Sequence, residues 1–181
     1  AGKIARDFNL FVCRSHLPLD RSALAVRRWK DIEREDAMQV QHILKEKSDD
    51  GVVTVAPGTK VSSVAEILSA RKIGAVIVSK DGKHVEGIVS ERDIVRELGR
   101  RGPSSLDDTV DEIMTRNLTT CGRGDTALEV LGKMSNGRFR HMPVMEGEEM
   151  IGLISIGDAV QARLRELAME KEALTGMIMG N

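Results

Sequence analysis

Apolar and polar positions after residue 51 follow the same pattern twice along the chain. Short β-prone runs at 52–55 and 118–121 each end at a turn that contains glycine. Apolar residues at helical spacing follow each run: Val61, Val64, Ala65 and Leu68 first, then Ala127, Val130, Leu131 and Met134. Each block therefore begins with a predicted strand followed by a predicted helix.

The second half of each block adds two strands and a helix. The run 73–78 aligns with the run 139–144 at an offset of 66 residues, and each leads to another glycine-containing turn. The segment Gly87-Ile88-Val89-Ser90-Glu91-Arg92-Asp93 then recurs 65 residues later as Gly152-Leu153-Ile154-Ser155-Ile156-Gly157-Asp158. Helical patterns start near Asp93 and Asp158. The sequence thus predicts two β-α-β-β-α repeats.

The repeats predict an α+β fold. A unit of about 60 residues leaves one apolar sheet face that it cannot cover alone. We therefore expect the two repeats to pack sheet to sheet around a pseudo-twofold axis, with two clefts between them, and clefts between repeats are preferred ligand sites. We assign residues 38–105 to the first repeat, 106–168 to the second, and 169–181 to the end of a long C-terminal helix.

The composition changes at Met38. Three of the four aromatic residues precede it, and all nine methionines lie at or after it. We interpret residues 1–37 as an N-terminal extension without assigned chemistry, or as residues upstream of a natural start at Met38. Seven basic residues against two acidic ones in residues 1–30 leave organellar targeting as an alternative to the cytoplasm.

Charge and composition exclude several classes of function. The chain has 181 residues with 27 Lys and Arg against 28 Asp and Glu, a net charge of −1 that argues against a basic nucleic-acid binder. Aromatic residues make up 2%, which leaves few platforms for base stacking. Charges interrupt every apolar run before the roughly 18 residues that a membrane span needs. We expect no nucleic acid and no membrane among the partners.

The cysteines and histidines indicate neither a disulfide framework nor a metal site. Cys13 and Cys121 stand far apart, and we expect both to be free thiols in a reducing compartment. The four histidines have no metal-ligand spacing, so no metal is predicted. The run Gly122-Arg123-Gly124-Asp125-Thr126-Ala127 fits a dinucleotide fingerprint, but a hairpin follows where that motif needs a parallel β-α-β unit. A small dehydrogenase that uses this turn is a third interpretation. Our prediction is that the protein is not an enzyme.

The repeated G-h-h-S-x-x-D segments, where h is apolar, resemble a pair of CBS domains, the Bateman module, over roughly residues 38–168. The resemblance implies a regulatory module that binds adenosine-containing ligands: AMP or NAD by preference, with ATP, ADP and S-adenosylmethionine as further possibilities. On this basis 38–105 and 106–168 are the two CBS repeats. It also implies a homodimer. With no effector domain identified, we expect the regulated protein to be a separate, unknown chain.

Two carboxylates are the leading candidates for ligand contacts. A charged carboxylate accepts strong hydrogen bonds, so Asp93 and Asp158 suit the two hydroxyls of a ribose. Ser90 and Ser155 stand at predicted helix starts, where free N–H groups attract sugar oxygens and anions. A structural alternative is a helix capping box, in which serine and acid satisfy each other's backbone groups. The two interpretations are compatible.

The resemblance further implies that each cleft combines residues of both repeats. Ser155 and Asp158 would face Val53, Ile73, Gly74 and Ala75. Ser90, Arg92 and Asp93 would face Thr115, Asn117, Thr119, Phe139, Arg140 and His141. Ile88, Arg138, Pro143 and Leu153 complete the candidate ligand-binding residues, with arginines and His141 as cations for phosphate. Because Gly157 replaces Arg92 in the second copy, we expect unequal clefts.

The last helix carries an apolar stripe that indicates a second possible function, protein–protein interaction. Val160, Leu164, Leu167, Leu174 and Ile178 alternate at spacings of three and four. Such a stripe either covers the protein's own module or forms a dimer contact. A ligand-independent interaction or scaffold protein is the alternative to the regulatory module.

Overall fold

A computed structural model describes residues 37–47 and 51–179, with side chains to residue 177. Residues 1–36 lie outside the described residues, and so do the predictions for the N-terminal extension and for Cys13. The helices are α1 (Val40–Glu46), α2 (Val61–Arg71), α3 (Glu91–Arg101), α4 (Val110–Ile113), α5 (Ala127–Gly137) and α6 (Ile156–Met179), with a 3-10 turn at Pro103–Asp107. The strands are β1 (Thr54–Val55), β2 (Ala75–Val78), β3 (Gly87–Ser90), β4 (His141–Glu146) and β5 (Glu149–Ser155).

The first repeat contains a three-stranded sheet in the order β1-β2-β3. Strand β2 pairs in parallel with β1 and antiparallel with β3. All four β2 residues are buried, as their uninterrupted apolar run predicts for a central strand. The predicted strand at 52–55 pairs only at Thr54 and Val55.

The second repeat contains the β4-β5 hairpin, and its predicted first strand at 118–121 shrinks to one bridge. Cys121 pairs in parallel with Val144: the Cys121 N–H donates to the Pro143 carbonyl at 3.1 Å, and the Met145 N–H donates to the Cys121 carbonyl at 2.8 Å. Thr119 and Thr120 are exposed, so the preceding residues have no apolar face to bury there. Prediction of a full strand at this position was wrong.

Two short helices are exchanged between the repeats: each packs in the core of the other repeat. In α1, Val40 and Ile43 lie in the core of the second repeat, with Met142 and Ile154 among their neighbours. In α4, Val110 lies in the core of the first repeat. Neither core is therefore formed by one continuous stretch of chain. The boundary between the repeats, at residues 105 and 106, stays a prediction.

Glycines in the sheets allow these exchanged helices to approach. A Cβ atom on Gly87 of β3 would lie 2.5 Å from the Met114 Sδ, just after α4. A Cβ atom on Gly152 of β5 would lie 2.7 Å from Cδ2 of Leu44 in α1. The two repeated glycines thus make room for one aliphatic side chain each.

The long helix α6 packs through small residues and leaves its apolar stripe outside. Ala159, Ala162 and Glu166 are its buried residues, and Glu166 accepts a hydrogen bond from the Met38 N–H at 3.1 Å. The stripe is largely exposed, with Leu164 and Leu174 each 61% accessible. The side chain of Ile178 lies outside the described residues. None of the described helices is both long and apolar enough to cross a membrane.

The architecture confirms the predicted fold class. The chain is α+β, with two repeats of strands and helices and a long C-terminal helix. Helices α3 and α6 begin at Glu91 and Ile156, directly after the serines of the repeated segments.

Candidate functional site

Two clefts open between the repeats. The first has a volume of about 380 Å³ and the second about 800 Å³, and both values fit the range of roughly 300–1,000 Å³ typical of small-molecule sites. The first is lined by Gly74, Ile88, Ser90, Glu91, Arg92, Asp93, Arg96, Thr115, Asn117, Leu118, Thr119, Gly137, Arg138, Phe139, Arg140 and His141. The second is lined by Leu44, Lys47, Gly51, Val52, Val53, Arg71, Lys72, Ile73, Gly74, Ala75, His141, Ile151, Gly152, Leu153 and Ser155.

In the first cleft, Asp93 is held at the start of α3. Its Oδ2 accepts hydrogen bonds from the Ser90 N–H at 2.9 Å and from the Ser90 Oγ at 2.6 Å. Arg96 donates to Oδ1 at 3.0 Å. The capping arrangement is therefore present, and it fixes the carboxylate at the edge of the cleft.

The first cleft carries an excess of positive charge. Four arginines line it, Arg92, Arg96, Arg138 and Arg140, against the two carboxylates Glu91 and Asp93. Guanidinium groups bind phosphate oxygens in pairs of hydrogen bonds. This lining can therefore hold a phosphate beside a carboxylate suited to sugar hydroxyls.

Beside the second cleft, Asp158 has a partner from a distant part of the chain. Its Oδ2 accepts from the Ser155 N–H at 2.8 Å, as in a capping box, and the Asp158 N–H donates to the Ser155 Oγ at 3.2 Å. The Lys47 ammonium lies 2.8 Å from the same Oδ2. Burial by itself raises the pKa of Asp158, but the hydrogen bonds from Lys47 and Ser155 outweigh burial and hold that pKa below its usual value. Asp158 is thus an ionised acceptor.

His141 stands at the junction of the clefts and lines both, as does Gly74. Burial lowers the pKa of His141, and the nearby positive charge of Lys47 lowers it further. Opposing contributions from Glu91 and Asp158 are smaller. The imidazole is therefore mainly neutral at pH 7.

The structure brings most of the predicted site residues together in the predicted combinations. Ile88, Ser90, Arg92, Asp93, Thr115, Asn117, Thr119, Arg138, Phe139, Arg140 and His141 share the first cleft. Val53, Ile73, Gly74, Ala75, Leu153 and Ser155 share the second. Asp158 is not among the lining residues of the second cleft, but it is bonded to Ser155 and Lys47, which are. Ligand contacts at all these positions stay predictions.

Pro143 lines neither cleft. It is buried in β4, where it pairs with Leu153 of β5. Side chains two positions apart share a face of a strand, so Pro143 differs from His141 in lying further along β4, away from the strand start that reaches the clefts.

Sequence reasoning missed the basic side chains of the second cleft, Lys47, Arg71 and Lys72. Lys72 could have been found, because it matches the predicted Arg138 at the offset of 66. Both residues adopt left-handed backbone conformations, with φ of 53° and 56°, at the ends of α2 and α5. Lys47 gives no such signal, because it precedes the repeated segments and reaches the cleft only in the folded chain.

Neither a cluster of metal ligands nor a reactive thiol is found among the described residues that line the clefts. Within residues 37–47 and 51–179, no group of three or more His, Cys, Asp or Glu side chains could hold a metal ion. Cys121 is buried in the core of the second repeat, and burial raises the pKa of its thiol to about 11.

A family comparison agrees with the geometry. Residues 43–100 and 110–165 each match the CBS domain family. The chain belongs to the CBS domain family. The two CBS matches correspond to the two repeats whose facing residues form the clefts.

Curated CBS relatives share the repeats but differ in length. The mitochondrial CBS domain-containing protein CBSX3 of Arabidopsis thaliana is 33% identical over 141 residues, covering 75% of this chain and 68% of that protein. CBSCBSPB3 of the same plant is 31% identical over 132 residues, covering 71% of this chain. The chain spans only 24% of the length of CBSCBSPB3.

Solved CBS structures share the fold. A CBS-domain containing protein from Agrobacterium tumefaciens is 42% identical, with a TM-score of 0.66 over 70% of this chain and 94% of that chain. The CBS domain pair of protein MJ0100, in complex with 5′-methylthioadenosine and S-adenosyl-L-methionine, is 22% identical, with a TM-score of 0.60 over 69% and 94%. The CBS protein PAE2072 from Pyrobaculum aerophilum, complexed with AMP, is 24% identical, with a TM-score of 0.58 over 67% and 89%.

Proposed function

We propose that this chain is a regulatory module, not an enzyme, that binds an adenosine-containing ligand in one or both clefts. The observation that carries the proposal is the combination, at each cleft, of a helix-start carboxylate with basic side chains. Asp93 lines the first cleft with four arginines, and Asp158 is bonded to Lys47, which lines the second cleft with Arg71 and Lys72. A carboxylate suits ribose hydroxyls, and the cations suit phosphates.

The solved structures support the class of ligand. MJ0100 and PAE2072 hold 5′-methylthioadenosine, S-adenosyl-L-methionine and AMP, which share an adenosine group. At 22% and 24% identity these proteins share the fold with the chain, and the choice of ligand rests on its own clefts. The cations favour AMP or NAD, with ATP as a further candidate, over ligands without phosphate.

The ligand would act by preferring one conformation. A ligand shifts an equilibrium only through its different affinities for two states, so occupancy changes either shape or stability. The regulated protein is proposed to be another chain, and neither nucleic acid nor membrane is proposed as a partner. We place the module in the cytoplasm, with an organelle as the alternative that fluorescence microscopy of a tagged full-length protein distinguishes.

A thermal-shift panel tests the ligand class. AMP, ADP, ATP, NAD, NADH and S-adenosylmethionine are compared on the purified chain, with GTP as the control. A ligand at 100 times its dissociation constant stabilises the fold by about 2.7 kcal/mol, which raises the melting temperature measurably. Stabilisation by one adenine ligand is expected. No shift at millimolar concentrations of any of them would contradict the proposal.

Matched variants separate ligand contact from helix capping. Asp93→Asn and Asp158→Asn together are expected to abolish ligand-induced stabilisation. Glu129→Gln is the control, because Thr126 and Glu129 form the same kind of capping box at the start of α5 and line neither cleft. Loss of capping alone would lower the melting temperature in all variants, whereas only the cleft variants should lose ligand binding.

The exposed stripe on α6 supports a homodimer, and it keeps a ligand-independent interaction protein as the second candidate function. Leu164 and Leu174 present apolar surface that water disfavours. Light scattering is expected to give twice the chain mass of 19.9 kDa. Leu164→Glu should yield a monomer, whereas Leu128→Glu, at an exposed position of α5, should leave the dimer intact. A monomeric wild type would contradict the homodimer.

A further inference from the structure

The two repeats differ at one matching hydrogen bond. In the first repeat the Ile88 carbonyl accepts the backbone N–H of Thr115 at 3.0 Å. At the matching position of the second repeat, 65 residues later, the Leu153 carbonyl accepts the side-chain ammonium of Lys47 at 2.9 Å. A backbone donor in one cleft is thus replaced by a cation on a long side chain in the other.

The same ammonium neutralises Asp158. It lies 2.8 Å from Oδ2, and the Lys47 and Asp158 side chains remain 42% and 26% accessible to solvent. By contrast, Asp93 in the first cleft is paired with Arg96 on its own helix. The Asp158 carboxylate is therefore paired with a residue 111 positions away, Lys47, which directly follows α1.

This arrangement makes the entry of a ribose into the second cleft a competition. A ribose hydroxyl that takes the place of Lys47 on Oδ2 of Asp158 displaces the ammonium, which then loses its counter-ion. A neutral ligand has no negative charge to pair with the released ammonium, whereas a phosphate can bind it. Arg71 and Lys72 line the same cleft and add two further cations for that phosphate.

We propose that Lys47 is a specificity-determining residue that makes the second cleft select phosphate-bearing adenosyl ligands over neutral ones. In the unliganded protein Lys47 pairs with Asp158, and in the complex its ammonium binds phosphate while Asp158 binds the ribose. The proposal rests on the proposed function and adds the selection between ligands. Its chemical prediction is a preference of the second cleft for AMP over adenosine.

Isothermal titration of AMP and adenosine tests the proposal on the full chain. Asp93→Asn is introduced throughout, to confine binding to the second cleft. Lys47→Met, which keeps the length of the side chain and removes its charge, is expected to weaken AMP binding at least tenfold. Adenosine binding should be unchanged or tighter, because Asp158 no longer has to release a counter-ion. Lys47→Arg, which keeps the charge, should retain the preference for AMP.

Lys45→Met is the matched control, since Lys45 is exposed, lies near the end of α1 and lines neither cleft. It should leave both affinities within twofold, and circular dichroism checks that each variant folds. Equal changes in AMP and adenosine affinity on Lys47→Met would overturn the role of Lys47, as would no change in either. AMP binding that the Asp93→Asn background abolishes would also overturn it. A wild type that binds no adenosyl ligand would instead overturn the proposed function itself.

Discussion

The imidazole of His141 packs directly on the backbone of Gly74. A Cβ atom placed on Gly74 would lie 2.9 Å from Cε1 and 3.1 Å from Nε2 of that ring. The two residues belong to different repeats, and both line both clefts. The contact therefore holds the repeats together at the place where the clefts meet.

Gly74→Ala is expected to disturb both clefts at once. The added methyl group must push the His141 ring aside, which costs about 1–3 kcal/mol of the free energy of unfolding. Urea denaturation measures that loss, and titration should show weaker ligand binding. Combining the substitution with His141→Ala should recover part of the stability, because the smaller side chain makes room.

Gly132→Ala is the control for this substitution. Gly132 lies in α5 with open space around its Cα, so alanine should stabilise the helix by roughly 0.5–1 kcal/mol. A Gly74→Ala protein as stable as the wild type would show that the ring moves without cost.

Stability should fall below about pH 6.5 because of His141. Its pKa in the folded protein is below 6.5, chiefly through burial and then through Lys47. The unfolded chain therefore binds more protons as the pH falls through 6.5, and protonation favours unfolding. His141→Gln should remove this contribution. The quantity to measure is the free energy of unfolding of the wild type minus that of the variant. It should be smaller at pH 5.5 than at pH 7.5.

His84 provides a control of opposite sign. Hydrogen bonding to Asp81 at 2.5 Å raises the pKa of His84 above 6.5. Its contribution to stability is therefore full below pH 6.5 and lost as the pH rises through the raised pKa. His84→Gln should show the reverse trend. Parallel trends in the two variants would contradict the assignment for His141.

Because α1 and α4 are exchanged, a destabilising substitution in either helix should weaken the core of the other repeat. Val110→Ala removes buried methyl groups from the core of the first repeat and should cost about 2 kcal/mol. Hydrogen exchange should then accelerate most in β2, although Val110 lies within residues 106–168, which we assign to the second repeat. Val40→Ala should accelerate exchange in β4 and β5 instead. Val95→Ala, at a position that is 66% exposed, should change neither.

Cys121 should resist thiol reagents in the folded protein. Burial, and secondarily the charge of Asp125, raises its pKa to about 11, so thiolate is scarce at pH 8. A Cys13→Ser chain isolates this thiol. Reaction with Ellman's reagent should be slow in buffer and fast in urea. Equal rates in the two conditions would show that the core around Cys121 opens readily.

Local patterns were enough to predict the repeats, the four principal helices and the strands that carry the most apolar residues. Gly87, Ser90 and Asp93 recur in register as Gly152, Ser155 and Asp158. This periodicity belongs to the sequence and does not depend on tertiary contacts. The family resemblance, built on the same residues, also placed Ser90 and His141 on one cleft, although they lie in different repeats.

The tertiary structure alone decided the exchange of α1 and α4, the loss of the strand before Cys121, and the pairing of Lys47 with Asp158. A strand is stabilised where it has an apolar face to bury, and Thr119 and Thr120 are polar and exposed. Lys47 meets Asp158 across 111 positions of chain. Such contacts join segments that are close only after folding, so no spacing along the sequence records them.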